Sequence, residues 1–347
     1  MAYKHGVYTS EVATSMVAPI TGTAGLQVIV GTAPVNMLKD PAAAVNVPLL
    51  VNSYKEAVEA VGYLPDFANY TLCECISANF SVVGIAPMVL INVLDPAKHK
   101  IAITGGTVQV NDGVAVLEET GVLLEGLTVK SGSNTLTAGT DYTTTWNDDG
   151  TLNIVVLSTG AGKEATSLTV TGNKIDPSKV TAADIVGGVD SSTGKETGLE
   201  VVRQVYPKLS MTPGILLAPR FSKDATVAAA LQAKTKSINS VFGAVCVVDI
   251  DSSNTGATKY TAVKTTKEAQ AVSDPNAYAV WPFAKVGNTV YSGSALAAAL
   301  AGFLASGYLL LCEQHELPGG FCKISCAALI TLVCILACRM LGTPASH

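Results

Sequence analysis

The sequence predicts an α/β core that is interrupted by a small antiparallel β domain. The core is indicated by two uniformly apolar runs, residues 26–34 and 82–94, which are typical of strands buried on both faces and have a helical segment between them. The interruption is indicated by residues 101–170, where short runs alternate apolar and polar residues between turn sequences. Helical and apolar patterning returns after residue 176, so the core has two parts in sequence.

The first part of the core is predicted to be a strand, a helix and a strand. The run at 26–34, LQVIVGTAP, is ended by Gly and Pro, as expected of a short buried strand. Residues 53–61 begin with Ser53, a residue suited to cap a helix, and continue with an amphipathic pattern. The run at 82–94 is ended by Asp95 and a proline, which completes the strand–helix–strand order.

The β region and the second part of the core follow. Turn sequences at residues 111–113 (Asn-Asp-Gly) and 147–150 (Asn-Asp-Asp-Gly) separate the alternating runs, which indicates hairpins and leaves a sandwich and a barrel as alternatives. Thr181 and Asp184 have the spacing of a capping box. The remaining predicted elements are an amphipathic helix at 199–206, a strand at 214–219, a helix at 224–238 and a strand at 241–251.

The N-terminal residues carry no helical period and are predicted to form an extended arm. They contain β-prone side chains but too few apolar neighbours to build a sheet of their own, so adding a strand to a neighbour's sheet edge would satisfy their backbone groups. The alternative is a frayed terminus or a strand within the same domain. The residues expected to contact another subunit are Tyr3, Gly6, Val7, Tyr8, Thr9, Glu11 and Val12.

These changes in pattern divide the chain into four parts. We predict an N-terminal arm at 1–25, a discontinuous α/β core at 26–95 plus 174–306, an inserted β domain at 96–173, and a cysteine-rich apolar tail at 307–347.

Composition limits the classes of function. Hydrophobic residues make up 48% of the chain and charged residues 14%, which excludes intrinsic disorder. With 22 basic and 27 acidic side chains and no basic block, nucleic acid is not an expected partner. The first twelve residues include Lys4 and Glu11 and no apolar run, so they do not form a secretory signal. A cytoplasmic site of synthesis is expected.

No motif for catalysis or cofactor binding stands out. The segment Gly188–Lys195 resembles a phosphate loop but has five spacer residues instead of four, and Gly160–Lys163 lacks the upstream Gly. Each is followed by Glu where Ser or Thr is needed. Asp249 and Asp251 follow a predicted strand, where α/β enzymes place catalytic groups, but no base accompanies them, and a solvated strand end or a helix cap is the favoured interpretation. The sequence therefore predicts no enzyme, no cofactor, no metal site and no small-molecule substrate.

Six segments of the chain occur together and in order in one family of proteins. The first is HGVYTSE at the N-terminus, and the others are residues 28–36, 176–188, 197–222, 241–251 and 281–301. Together they resemble the contractile tail sheath proteins of phages and phage-derived bacteriocins, whose N-terminal signature is PGVYxxE, with His5 in place of Pro in this chain.

The resemblance implies a structural subunit of a contractile machine. It implies self-assembly into hexameric rings stacked helically around a tail tube, with the tube protein and the baseplate and tail terminator proteins as partners. It also implies a virion tail or bacteriocin particle assembled in the cytoplasm of the host bacterium, and an N-terminal arm that ties subunits together.

The C-terminal part departs from the resemblance after Gly307, and a shifted reading frame or a truncated gene is the interpretation of this change. A zinc site is disfavoured in this segment, because its two pairs of candidate ligands lie too close together in sequence. The pairs are Cys312 with His315 and Cys322 with Cys326. Residues 286–312 carry no formal charge, and a membrane-anchored surface protein, with a ligand-binding β domain and a hydrophobic hairpin at 290–338, is the alternative function. The Ala- and Gly-rich centre of the first run favours a buried helix instead.

Overall fold

The structure is a computed structural model that describes residues 25–103 and 106–314. The predicted arm, except Gly25, and residues 315–347 of the predicted tail lie outside these residues. The described part is a mixed α/β fold with several sheets, which agrees with the predicted class.

The larger α/β part is built on a six-stranded sheet in the order β17-β16-β15-β1-β3-β2. All neighbouring strands are parallel except β2, which pairs antiparallel with β3. The central strands are fully buried, which is why their sequences are almost uniformly apolar. In chain order across the whole fold, these strands are β1 (Gln27–Gly31), β2 (Leu49–Val51), β3 (Met88–Asn92), β15 (Ile215–Leu217), β16 (Val245–Asp249) and β17 (Ala277–Val280).

Helices cover both faces of this sheet. The chain passes from β1 to β3 in one direction and from β15 to β16 in the other, so right-handed crossovers place their helices on opposite faces. On one face lie α2, the π-helical segment Ser77–Val83 and α7, and on the other lie α3, α5 and the 3₁₀ helix Gly198–Gln204. The helices are α1 (Tyr54–Val61), α2 (Thr71–Ile76), α3 (Ala182–Val186), α4 (Val205–Leu209), α5 (Ala225–Lys236), α6 (Val263–Ala269) and α7 (Gly293–Gln314).

A seven-stranded antiparallel sheet lies between β3 and β15 along the chain, in the order β8-β7-β11-β5-β6-β10-β9. Strand β5 pairs with β11 through its first residues and with β6 through its last two, so it passes from one half of the sheet to the other. The side chains between the halves form a hydrophobic cluster separate from that of the six-stranded sheet. The strands are β5 (Gly106–Asn111), β6 (Val114–Leu117), β7 (Thr128–Ser131), β8 (Asn134–Leu136), β9 (Tyr142–Trp146), β10 (Leu152–Val156) and β11 (Ser167–Thr171).

Three two-stranded ribbons complete the described strands. The first joins the two regions, since β4 lies just before the seven-stranded sheet and β12 just after it. The ribbons are β4 (Lys100–Ala102) with β12 (Asn173–Ile175), β13 (Gly188–Val189) with β14 (Glu196–Thr197), and β18 (Ala284–Val286) with β19 (Thr289–Tyr291).

Local sequence signals placed several helix starts correctly. Ser53 Oγ accepts a hydrogen bond from the backbone N–H of Glu56 at the start of α1. Thr181 and Asp184 form the predicted capping box of α3.

Three predicted elements differ from the structure. The strand predicted at 241–251 is a strand only at Val245–Asp249. The run at 82–94 is a strand only from Met88, because its first residues close the π-helical segment. The predicted helix at 199–206 is instead the 3₁₀ helix Gly198–Gln204 followed by α4. Pro207 has no N–H to donate to the Arg203 carbonyl, so a continuous α-helix would lose this bond. The Arg203 carbonyl accepts instead from Asn239 Nδ2 at 2.8 Å.

Helix α7 is a core element over its described side chains. Ala295, Ala298 and Ala299 are fully buried, and the helix packs against β15 and β16. The sequence-based preference for a buried helix here agrees with this packing. Within residues 25–103 and 106–314, no helix combines the length and apolarity needed to cross a membrane.

Candidate functional site

The carboxyl edge of the parallel sheet is the first place to look for a site, because open α/β sheets bind ligands where the strand order reverses. Here the reversal lies between β1 and β15. The position is occupied by an ion pair between Glu74 of α2 and Arg220, which follows β15. Arg220 Nε donates to Glu74 Oε2 at 2.9 Å and Nη2 donates to Oε1 at 3.1 Å. The Glu74 side chain is completely buried.

A second carboxylate at this edge holds the start of α7. Asp249, the last residue of β16, is only 6% exposed. Its Oδ1 accepts from the Ser294 N–H at 2.8 Å, and its Oδ2 accepts from Ser294 Oγ at 2.6 Å. The Ser292 N–H also donates to Glu74. Two carboxylates therefore lie at the N-terminus of α7, where the helix dipole favours negative charge.

The loop after β15 is fixed by the same cluster. Arg220 adopts a left-handed backbone (φ 64°), and its N–H donates to Asp249 Oδ2 at 3.0 Å. The Asp249 N–H donates to Ser222 Oγ at 2.9 Å. Gln270 Nε2 donates to the carbonyls of Lys223 and Asp249 at 2.8 and 3.1 Å. These bonds connect elements that are distant in sequence.

Burial dominates the electrostatics of this cluster. Burial raises the pKa of Glu74, although Arg220 and the Ser292 N–H act in the opposite direction. The neighbouring Cys75 thiol has a pKa far above its ordinary value, first because of burial and then because of the charges of Glu74 and Asp249. A buried thiol of this kind is a poor nucleophile.

The polar groups of this arrangement are hydrogen-bonded to one another. The carboxylates of Glu74 and Asp249 already accept hydrogen bonds from Arg220 and from the start of α7. The Phe283 ring covers the guanidinium, with its centroid 5.1 Å from Arg220 Cζ. The site that an α/β enzyme would leave open is filled by side chains.

Asp249 is thus a helix cap, one of the two interpretations favoured from sequence. The Asp251 N–H donates to Gln270 Oε1 at 3.2 Å, but its carboxylate faces the following loop, where it accepts from Ser253. Glu74 and Arg220 were not predicted. One signal was present, because Glu74 is the only charged residue between Asp66 and Asp95, and a lone charge in an apolar stretch indicates a buried pair.

The two glycine–lysine segments are surface turns. In the β13–β14 connection, Asp190 Oδ1 accepts from the Ser192 hydroxyl at 2.6 Å and from the N–H groups of Thr193 and Ser192, and these bonds, the hydroxyl's foremost, lower the pKa of Asp190 to about 2. In the other segment, the Ala161 N–H donates to Asp141. In both turns, backbone N–H groups that a phosphate loop would direct at its ligand donate instead to a carboxylate of the protein, Asp190 in the first and Asp141 in the second.

A cleft of about 470 Å³ lies between α3, the β13–β14 ribbon and the segment before β4. Asp184 lines it together with Lys98 and His99. Burial would raise the pKa of Asp184, but hydrogen bonds from Lys98 and Thr181 outweigh it and lower the pKa to about 2. His99 Nδ1 accepts from the Asp95 N–H at 2.9 Å, which places the proton of a neutral ring on Nε2, 3.5 Å from Asp184 Oδ1. A protonated Nε2 is not a metal ligand.

The structure does not test the predicted intersubunit residues or the disfavoured zinc site. The former, Tyr3 to Val12, lie outside the described residues, as do His315, Cys322 and Cys326. Among the described residues, no group of three or more His, Cys, Asp or Glu side chains is placed to hold a metal ion.

Comparison with known proteins agrees with the resemblance found in the sequence. The chain is 29% identical over 252 residues to the tail sheath protein of the Burkholderia phage BcepMu, an alignment that covers 71% of this chain and 48% of the relative. The chain thus spans about half the length of this curated relative. No protein-family model matches it. A sheath tail protein from Desulfitobacterium hafniense aligns in structure over 87% of this chain and 62% of its own, with a TM-score of 0.38 and 12% identity.

Proposed function

We propose that this chain, a relative of a phage tail sheath protein, is a structural subunit of a contractile tail sheath. The observation that carries the proposal is the sequence similarity over 71% of the chain. The filled carboxyl edge of the parallel sheet supports a structural role, because the pair of Glu74 and Arg220 occupies the place where an α/β enzyme would bind its substrate. The subunit is proposed to be non-enzymatic.

The proposed assembly is a stack of hexameric rings around a tail tube, which shortens to drive the tube through a bacterial envelope. Head-to-tail contacts between identical subunits generate open helical polymers when the rotation does not close. A change between two packings of the same subunits needs differential contact energy and no nucleotide. The tube protein, the baseplate and the tail terminator are the proposed partners, and the virion tail, assembled in the host cytoplasm, is the proposed location.

The N-terminal arm is the proposed tie between subunits. It would run through residues Tyr3 to Val12 and add a strand to a neighbouring subunit. In the proposed division of the chain, the discontinuous core and the β domain at 96–173 form a rigid body, and the arm extends from it to the neighbouring subunit. The membrane-anchored alternative is not favoured, since the described side chains at the start of α7 are buried in the core.

Negative-stain microscopy and sedimentation of the full chain test this proposal. The test variant replaces Tyr3, Val7, Tyr8 and Val12 by Ser, and the matched control replaces Thr14 and Ser15 by Ala. We expect the unchanged chain and the control to form rings or tubes at increasing concentration, and the test variant to remain monomeric with an unchanged circular dichroism spectrum. Identical assemblies from the test variant would contradict the arm as the tie, and a monomeric unchanged chain would contradict assembly.

A further inference from the structure

The seven-stranded sheet contains two turns with the same reactive dipeptide, Asp-Gly. Asp112-Gly113 connects β5 to β6, and Asp149-Gly150 lies in the connection between β9 and β10. In an Asp-Gly pair the glycine nitrogen can attack the carboxyl carbon of the aspartate, because glycine has no side chain that hinders the approach. The two pairs share this chemistry, so a difference in their reactivity has to come from the structure around them.

The first pair occupies the two central positions of a hairpin turn. Asn111 pairs with Val114, and Asp112 and Gly113 both have left-handed backbone angles (φ 50° and 79°), as a type I′ turn requires. Asp112 is exposed. Among the residues that the structure describes, none hydrogen-bonds to the Asp112 carboxylate, and the Gly113 N–H donates to none of them. Neither reacting group is therefore held in place by a hydrogen bond.

A rotation of the peptide plane between Asp112 and Gly113 converts this turn to type II′, which also suits a two-residue hairpin. In type II′ the first central residue has ψ of about −120°, which brings the next nitrogen to the side of the Cβ atom. Glycine accepts the accompanying change in the sign of φ. The Asn111–Val114 pair and the hydrogen bond from the Val156 N–H to the Gly113 carbonyl lie outside the rotating plane. The reactive geometry is thus a minor state that the hairpin reaches without losing its strand pairing.

The second pair is held by its surroundings. The Gly150 N–H donates to the Asn147 carbonyl at 3.0 Å. Asp149 Oδ1 accepts from the Thr151 hydroxyl at 2.6 Å and from the Thr151 N–H at 2.9 Å, and these bonds lower the pKa of Asp149. Gly150 is buried against Leu64, whose Cδ1 would be 2.7 Å from a Cβ at position 150. Attack on Asp149 therefore requires that three hydrogen bonds break and that a packed glycine moves.

We propose that Asp112 is a site of spontaneous conversion to isoaspartate. The Gly113 nitrogen bonds to Asp112 Cγ and loses its proton, and one carboxyl oxygen leaves as water, which closes a succinimide ring. Water then adds to the ring at the main-chain carbonyl and opens it. The chain now continues through the side-chain carbon, and the former main-chain carbonyl is a free carboxylate. One water is released and one is consumed, so no other reactant is needed.

The conversion changes the backbone of the turn. Isoaspartate adds one methylene to a connection that has only two residues, so the turn no longer has the geometry that sets the strand register. The affected pairs are Asn111 with Val114 and Val110 with Ala115. Strand β5 also pairs with β11 in the other half of the sheet. Modification of this one turn is therefore expected to weaken the whole seven-stranded sheet.

Incubation of the full chain in H₂¹⁸O at neutral pH and physiological temperature tests the site. Ring opening leaves one ¹⁸O atom in the product, and electron-transfer fragmentation of peptides distinguishes isoaspartate from aspartate. In the native protein we expect at least about tenfold more isoaspartate at position 112 than at position 149, because only at position 112 can the reacting atoms approach freely. Isoaspartate at position 149 in equal or larger amount, or none at position 112, would overturn the proposal.

The same incubation in urea separates structure from sequence. Once the chain is unfolded, the hydrogen bonds around Asp149 are lost, and we expect both positions to react at similar rates. If position 149 stays unmodified in urea, its native hydrogen bonds are not the reason for its protection, and the structural argument is wrong.

Asp112→Gly is the matched variant, because glycine suits both turn types and has no carboxyl group. On incubation, the urea unfolding midpoint should fall in the unchanged chain and stay constant in Asp112→Gly, as followed by tryptophan fluorescence. A fall in both, or in neither, would contradict the expected effect of the modified turn on the sheet. None of these measurements depends on the proposed sheath function, so either conclusion can fail without the other.

Discussion

Replacing Arg220 by Met would test how the buried ion pair supports the fold. Met keeps the length of the side chain and places no new demand on the left-handed backbone, but it leaves the Glu74 carboxylate buried without its cation. Removing one partner of a buried pair costs about 3–5 kcal/mol, because the remaining charge stays desolvated. We expect the free energy of unfolding of the six-stranded region to fall by this amount at pH 7. Urea unfolding followed by the fluorescence of Trp281 measures it.

The matched control is Arg203→Met. Arg203 lies 3.4 Å from Glu196 and 3.7 Å from Glu200, but its side chain is 47% exposed, so solvent screens these pairs. An exposed pair contributes about 0–1 kcal/mol. The double variant Glu74→Leu with Arg220→Met removes both buried charges and is expected to recover much of the loss.

The loss in Arg220→Met should depend on pH with a defined sign. Burial raises the pKa of folded Glu74 above its ordinary value of 4.5, so the folded state binds more protons than the unfolded state. The contribution of Glu74 to stability therefore falls as pH rises from 4.5 through the folded pKa. Without Arg220 the folded pKa rises further, so the difference between variant and parent should shrink on acidification. A loss below 1 kcal/mol at pH 7, or one that grows on acidification, would refute the assignment of Glu74 as a buried, paired charge.

Three further predictions concern packing. Leu152→Ala should lower the free energy of unfolding of the seven-stranded sheet by about 2–5 kcal/mol. In single-tryptophan variants, the unfolding transition followed by Trp146 fluorescence should shift and the one followed by Trp281 should not, because the two regions have separate cores. Equal shifts of both transitions would contradict this. Gly302→Ala should cost about 1–3 kcal/mol in thermal unfolding, since a Cβ there meets the Gly25 carbonyl oxygen at 3.2 Å, while Gly188→Ala, with open space around it, should cost under about 0.5 kcal/mol. Thiol labelling of the native protein at pH 8, followed by peptide mapping, should leave three buried cysteines unmodified, because burial raises their pKa values. They should react once urea unfolds the chain, and labelling without urea would contradict their placement. They are Cys73, Cys75 and Cys246.

Much of the local structure followed from short-range signals. Ser53 and the pair of Thr181 and Asp184 marked helix starts, because capping bonds span only three residues. Pro207 is also a local signal, because it has no backbone N–H to donate to the carbonyl of Arg203. The predicted α-helix at 199–206 conflicts with this signal. The π-helical start of the run at 82–94 had no such signal.

The sequence by itself determined the mixed α/β class, the apolar segments that contain the buried strands, and the likeness to a tail sheath protein. These depend on side-chain periodicity and on ordered motifs, both readable along the chain. Only the tertiary structure decided that Glu74 pairs with Arg220, 146 positions away, and that Asp249 holds the start of α7. The physical reason is that a buried charge is satisfied by whichever partner the topology brings within about 3 Å, and sequence separation does not fix that distance.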